Sequence, residues 1–163
     1  VDLMLKQRTW WIPTLALVPR SRQRRMEDKA WDQAQLGEED RKDEEIYQRQ
    51  LKQVPLWKHA VEKGLRVAMG TDQSHRLLTG ENLVELEFMV THLGMAPMQA
   101  IVSATKTAAE CLERPELGTL EPGKVADVVV LDGNPLDDVR LLGDPARIHL
   151  VMKEGAPYKN RLH

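Results

Sequence analysis

Leu65-Arg66-Val67-Ala68-Met69-Gly70-Thr71-Asp72 is the stretch whose reading decides the fold. The run from Leu65 to Met69 is apolar apart from Arg66 and predicts a short strand. Gly70-Thr71-Asp72 then turns off the strand end and hands a carboxylate to the following loop. Parallel β/α enzymes keep their chemistry at the carboxyl ends of strands. Asp72 is therefore the leading candidate for a catalytic or metal-ligating side chain. Its bland alternative is a turn former or helix cap, a frequent use of aspartate after a strand. Thr71 and His75 flank it as candidates for orienting a substrate. A solvent-exposed loop histidine is the competing reading for His75.

Working outward, Val54, Trp57 and Val61 fall at helical spacing, with Gly64 as a left-handed stop before the strand. Downstream, Leu83, Leu86, Val90 and Leu93 form one apolar stripe on a helix. Thr79 is a candidate cap at its start and Gly94 ends it. Pro97 opens a further helix, expected to run to about Leu112. Upstream, Thr9-Trp-Trp-Ile-Pro-Thr-Leu-Ala-Leu17 leans to β and predicts a strand with a proline near its end. Between them, residues 18–53 are highly charged. Arg20, Arg22, Arg24 and Arg25 form a basic cluster, and acids gather at residues 38–45. With both signs present, a solvated helical excursion is favoured over a phosphate site.

The grammar then turns to β. Residues 126–131 and 147–152 predict strands, Asp132-Gly133-Asn134-Pro135 a turn, and Glu154-Gly155 a hairpin leading to a last strand near Tyr158. Residues 118–124 come close to a phosphate-binding loop. Val125 stands where Ser or Thr is needed, and the segment leads towards a strand rather than into a helix, which excludes that reading.

The composition is that of an ordinary globular protein: 163 residues, 42% hydrophobic and 29% charged. A net charge of -2 gives no electrostatic case for nucleic acid or an anionic membrane. No apolar run approaches the roughly 18 residues that cross a bilayer. Cys111, the single cysteine, excludes an internal disulfide and reads as a buried structural thiol. No His-x-His, no His-Glu-x-x-His and no Gly-x-Ser-x-Gly occurs, so neither a complete metal site nor a serine nucleophile elbow can be assembled. The chain opens Val1-Asp2-Leu3. The expectation is a start further upstream, with a cytoplasmic location unless a signal peptide precedes Val1.

Taken together, Pro13-Thr14-Leu15, Gly70-Thr71-Asp72, Glu85-Leu86-Glu87, Ala104-Thr105-Lys106-Thr107-Ala108-Ala109-Glu110 and the run from Gly118 to Asp127 resemble the C-terminal part of the amidohydrolase superfamily. The imidazolonepropionase-like and Xaa-Pro dipeptidase-like branch is the most similar. The resemblance implies an α/β chain. Residues 1–115 would be the last two β/α units of a TIM barrel, with 18–53 as a charged helical excursion. Residues 116–163 would be the C-terminal strands of a small composite β-sandwich domain. It implies a hydrolase of amide or cyclic amide C–N bonds that uses a metal-activated water, a small-molecule amide or dipeptide-like substrate, and a divalent metal, zinc, in the full-length protein. Asp72 takes the place of the strand-eight aspartate, which binds metal and relays the proton.

The departure from the family pattern lies in the other ligands. The His-x-His, a carboxylated lysine and two further histidines belong to strands that would precede this chain. The expectation is that this piece alone retains no metal and is inactive. The alternative is a non-catalytic remnant, a binding or oligomerisation module, motivated by a parallel sheet edge that needs cover. A homo-oligomer or a missing N-terminal half would supply that cover.

Overall fold

The computed structural model describes residues 1–27, 37–72, 77 and 80–162. The chain opens with a short helix, α1 (Asp2–Lys6), its acid at the positive end and its lysine at the negative end. Then β1 spans Trp10–Trp11 and α2 spans Leu17–Glu27. The expected strand from Thr9 to Leu17 is thus confined to two residues. Thr14 adopts a left-handed φ of 48° after Pro13, which ends the extended run, and Leu17 already begins a helix.

The long helix α3 runs Glu38–Glu62 and merges the charged excursion with the Val54/Trp57/Val61 pattern. The Asp40 side chain accepts from the Gly37 N–H at 3.2 Å at its start, and Glu38 pairs with Lys42 one turn on at 2.6 Å. Pro55 lies inside it, and the helix continues through that position. Arg20, Arg22 and Arg24 of the basic cluster are paired within the chain. Arg20 and Arg24 pair with Glu81, and Arg22 pairs with Glu44 while lying over the Tyr47 ring. Those pairings favour the solvated helical excursion over a phosphate site.

Next, β2 (Arg66–Val67) pairs in parallel with β1, Trp10 opposite Arg66 and Trp11 opposite Val67. A 3-10 turn at Asn82–Val84 leads into α4 (Glu85–Leu93), which ends at Gly94 with φ 70°. The cap expected at Thr79 lies outside the described residues. The helix expected from Pro97 to Leu112 breaks at Thr105 into α5 (Pro97–Ala104) and α6 (Lys106–Cys111). The cause is close packing. The Thr105 hydroxyl donates back to the Ile101 carbonyl, and the Gly118 backbone presses on the joint. A Cβ at Gly118 would sit 2.8 Å from the Thr105 carbonyl oxygen. Cys111 is half-buried rather than buried.

The last third forms a three-stranded antiparallel sheet in the order β3 (Val128–Leu131), β4 (Ile148–Lys153), β5 (Ala156–Asn160). The Glu154-Gly155 turn joins β4 to β5, with both residues at positive φ. Between β3 and β4 a 3-10 helix, Val139–Gly143, returns to the rest of the chain. Val139 is part of the core made by Leu15, Val67, Leu86, Met89, Leu93, Met95 and Ala100. The expected stripe on α4 is the centre of that core, with Met89 added to Leu86 and Leu93. Trp11 and Trp57 pack against it with ring centroids 6.2 Å apart. Among the described residues no helix is long and apolar enough to cross a membrane.

Candidate functional site

The two parallel strands point the same way, so their following turns emerge side by side. Val67 and Ala68 are buried, and the Ala68 N–H donates to the Trp11 carbonyl at 3.0 Å. The other edge of the strand is covered at this point. The Ser103 hydroxyl donates to the Val67 carbonyl at 2.8 Å, and the Met69 N–H donates to the Ser103 carbonyl at 3.1 Å. The exposed-edge motive for a binding module is therefore weakened at Val67 and Met69.

Gly70 follows, and a Cβ there would lie 2.4 Å from Ile12 Cγ2, so any larger residue would force Ile12 to shift. That contact sets the turn after β2 directly against the turn after β1. Thr71 is half-buried, and Asp72 is exposed with φ 48°, a left-handed value that aspartate tolerates better than most residues. Thr71 and Asp72 thus stand together at the carboxyl end of β2, where the sequence places them. His75 lies outside the described residues.

The residue that sequence reasoning passed over is Glu85. It opens α4, is fully buried, and its carboxylate accepts the N–H of Leu15 at 2.6 Å and the N–H of Ala16 at 2.6 Å. Burial pushes its pKa up from 4.5 to about 7, against the downward pull of those two N–H groups. The signal was present: Glu85, Met89 and Leu93 stand at i, i+4 and i+8, so a carboxylate lies on the apolar face of the helix. A buried carboxylate on such a face needs partners, and main-chain donors supply them.

His59, His92 and His149 lie on other elements. His92, on α4, packs on Phe88 with ring centres 5.3 Å apart, and burial and then Lys58 hold its pKa below 6.5. His149 on β4 lies 4.0 Å from Asp132, and His59 is exposed on α3. Among the described residues no group of three or more His, Cys, Asp or Glu is placed to hold a metal. A groove of about 450 Å³ lies along the outer side of β2, lined by Trp10, Arg66, Met95, Met98 and Val102 among others. It includes neither Thr71 nor Asp72, so it is separate from the rim.

A profile of the amidohydrolase family matches residues 43–157, more than two thirds of the chain. The chain belongs to the amidohydrolase family. Among curated relatives it is similar to ochratoxinase from Aspergillus niger, 35% identical over 102 residues, which is 61% of this chain and 21% of that one. It is similar also to imidazolonepropionase from Pyrobaculum arsenaticum, 31% identical over 93 residues, or 57% of this chain and 24% of that one. Among solved structures, a Xaa-Pro dipeptidase with methionine bound in its active site superposes with a TM-score of 0.73 at 30% identity. That match covers 98% of this chain and 36% of the dipeptidase. The chain thus spans about a fifth to a quarter of these curated relatives and about a third of this solved one. The mixed α/β fold of this chain matches that of solved amidohydrolase-family structures.

Proposed function

We propose that the chain works as the C-terminal share of a metal-dependent amidohydrolase that hydrolyses C–N bonds in small amides, cyclic amides or dipeptide-like substrates. In this reading β1 and β2, within residues 1–115, are the last two strands of a (β/α)8 barrel. Residues 116–163 contribute strands to a small β-sandwich domain. The substrate is a small molecule, with neither nucleic acid nor membrane as partner.

One observation carries the proposal: an exposed carboxylate, Asp72, on a left-handed turn at the carboxyl end of a parallel strand, in a family of hydrolases. A bound divalent ion, zinc by family resemblance, supplies a water of lowered pKa, from 15.7 towards about 7. Among the described residues no complete set of ligands for that ion is brought together. Asp72 would offer such an ion one oxygen ligand and its water one proton acceptor. What this chain contributes is position. Gly70 lets the turn lie flat against Ile12, Ser103 fixes the strand before it, and Asp72 faces solvent at the rim.

The test is an assay of the 163-residue chain, and of a longer protein that contains it, on amide and Xaa-Pro dipeptide substrates with zinc added. The chain alone is expected to show no metal-dependent turnover, and the longer protein to show it. Hydrolysis by the chain alone would contradict the shared-site reading, and none by either would remove the hydrolase reading.

A further inference from the structure

We infer that Glu85 is a positioning residue for the Asp72 rim: its buried carboxylate clamps the turn at residues 12–16 by two main-chain N–H groups, and that turn seats the turn at residues 70–72. The inference deepens the hydrolase reading and rests on it, since it takes the Asp72 rim as the reaction site. Its physical basis is independent of catalysis.

Three observations join up. First, Thr14 is β-branched and holds φ 48°, a conformation of order 1–3 kcal/mol above the ordinary minima that persists only where surroundings enforce it. Immediately after it, the N–H groups of Leu15 and Ala16 both end on Glu85, each at 2.6 Å. Those bonds fix the exit of the strained turn. Second, Ile12 in the same turn abuts Gly70, where a Cβ would force Ile12 to shift. Third, Asp72 two residues on is itself left-handed at φ 48°. A carboxylate on α4, which follows Asp72 in the chain, thereby reaches back to the turn after β1 and begins a series of contacts. The series runs from Glu85 to residues 15–16, to Ile12, to Gly70 and so to Asp72.

A glutamate this near a candidate site invites assignment as a second ligand or a general acid. Both carboxylate oxygens are already committed to main-chain donors, and the side chain is fully buried. Main-chain clamping is the role those contacts leave open.

The test is amide hydrogen exchange and backbone chemical shifts of the full chain by NMR, comparing wild type with Glu85→Gln. Glutamine offers one carbonyl for two donors, so exchange at Leu15 and Ala16 is expected to rise about tenfold, the loss of one hydrogen bond. The amide resonances of Gly70, Thr71 and Asp72 should shift, while the β3–β5 amides keep their wild-type exchange. Unmoved resonances at residues 70–72 would overturn the inference, as would a uniform acceleration across every element. Should Glu85→Gln fail to fold, Ile12→Ala breaks the same series of contacts at a half-exposed side chain. Residues 70–72 should then shift while Leu15 and Ala16 exchange as slowly as before, and unmoved resonances would again overturn it. Neither readout needs turnover. Coupling without hydrolysis keeps the inference and sinks the hydrolase reading, whereas hydrolysis without coupling does the reverse.

Discussion

Glu85 makes stability fall as pH rises, opposite to the usual behaviour of a paired carboxylate. Its folded pKa of about 7 stands above the ordinary 4.5. The folded state therefore holds the proton more tightly than the unfolded state. The sign follows by linkage: stability is fullest below pH 4.5 and is lost as pH climbs towards and through 7. The gap of about 2.5 pKa units corresponds to about 3 kcal/mol at 1.36 kcal/mol each. That is a large share of the 5–15 kcal/mol typical of a domain. His92 pushes the other way, since its folded pKa lies below 6.5 and its contribution is lost as pH falls through that value. Glu116 and Asp138 are held below the usual carboxylate range, and their contributions are lost only in more acidic solution. The readout is accordingly the difference between wild type and Glu85→Gln in urea unfolding midpoints, converted with a shared slope, from pH 4.5 to pH 8. Glutamine adds a fixed cost for the unpaired N–H that does not vary with pH. The wild type should lose about 3 kcal/mol relative to the variant across the window. A flat difference, or one of opposite sign, refutes the claim that burial outweighs the two N–H bonds.

Other substitutions probe the packing around the same rim. Gly70→Ala should cost about 1–3 kcal/mol by overpacking against Ile12, measured by chemical denaturation, and Gly70→Ala with Ile12→Ala should recover most of it. Ser103→Ala removes the donor to the buried Val67 carbonyl and should cost about 1–2 kcal/mol. Exchange at the Met69 amide should stay slow, because its acceptor is the Ser103 backbone. Gly118→Ala combines a φ of 87° with a Cβ only 2.8 Å from the Thr105 carbonyl oxygen, so thermal unfolding should show a loss of about 2 kcal/mol or more.

The helices and the antiparallel sheet were legible because their signals are periodic. Leu86 and Leu93 declare the core face of α4, Gly94 its end, and Glu154-Gly155 the hairpin. The extent of β1 was not legible. Residues 9–12 have high β propensity, and the strand is cut short by Thr14 turning left-handed after Pro13 in a tertiary setting that no local rule reports. The break at Thr105 was hidden for the same reason, since its partner Gly118 lies beyond the helix. At the site, the place of Asp72 after a strand was legible. Glu85 was legible only in part: its register with Met89 and Leu93 puts a carboxylate on the apolar face, but only the fold brings the Leu15 and Ala16 N–H groups over it.

The most direct test of the whole account is Asp72→Asn in a zinc-loaded protein that contains this chain, assayed for amide and dipeptide hydrolysis. Asparagine keeps the shape and removes the carboxylate, so kcat should fall by about 10²-fold or more while unfolding midpoints stay within error. Turnover at the wild-type rate would contradict the account, because the carboxylate at the end of β2 would then have no part in the chemistry.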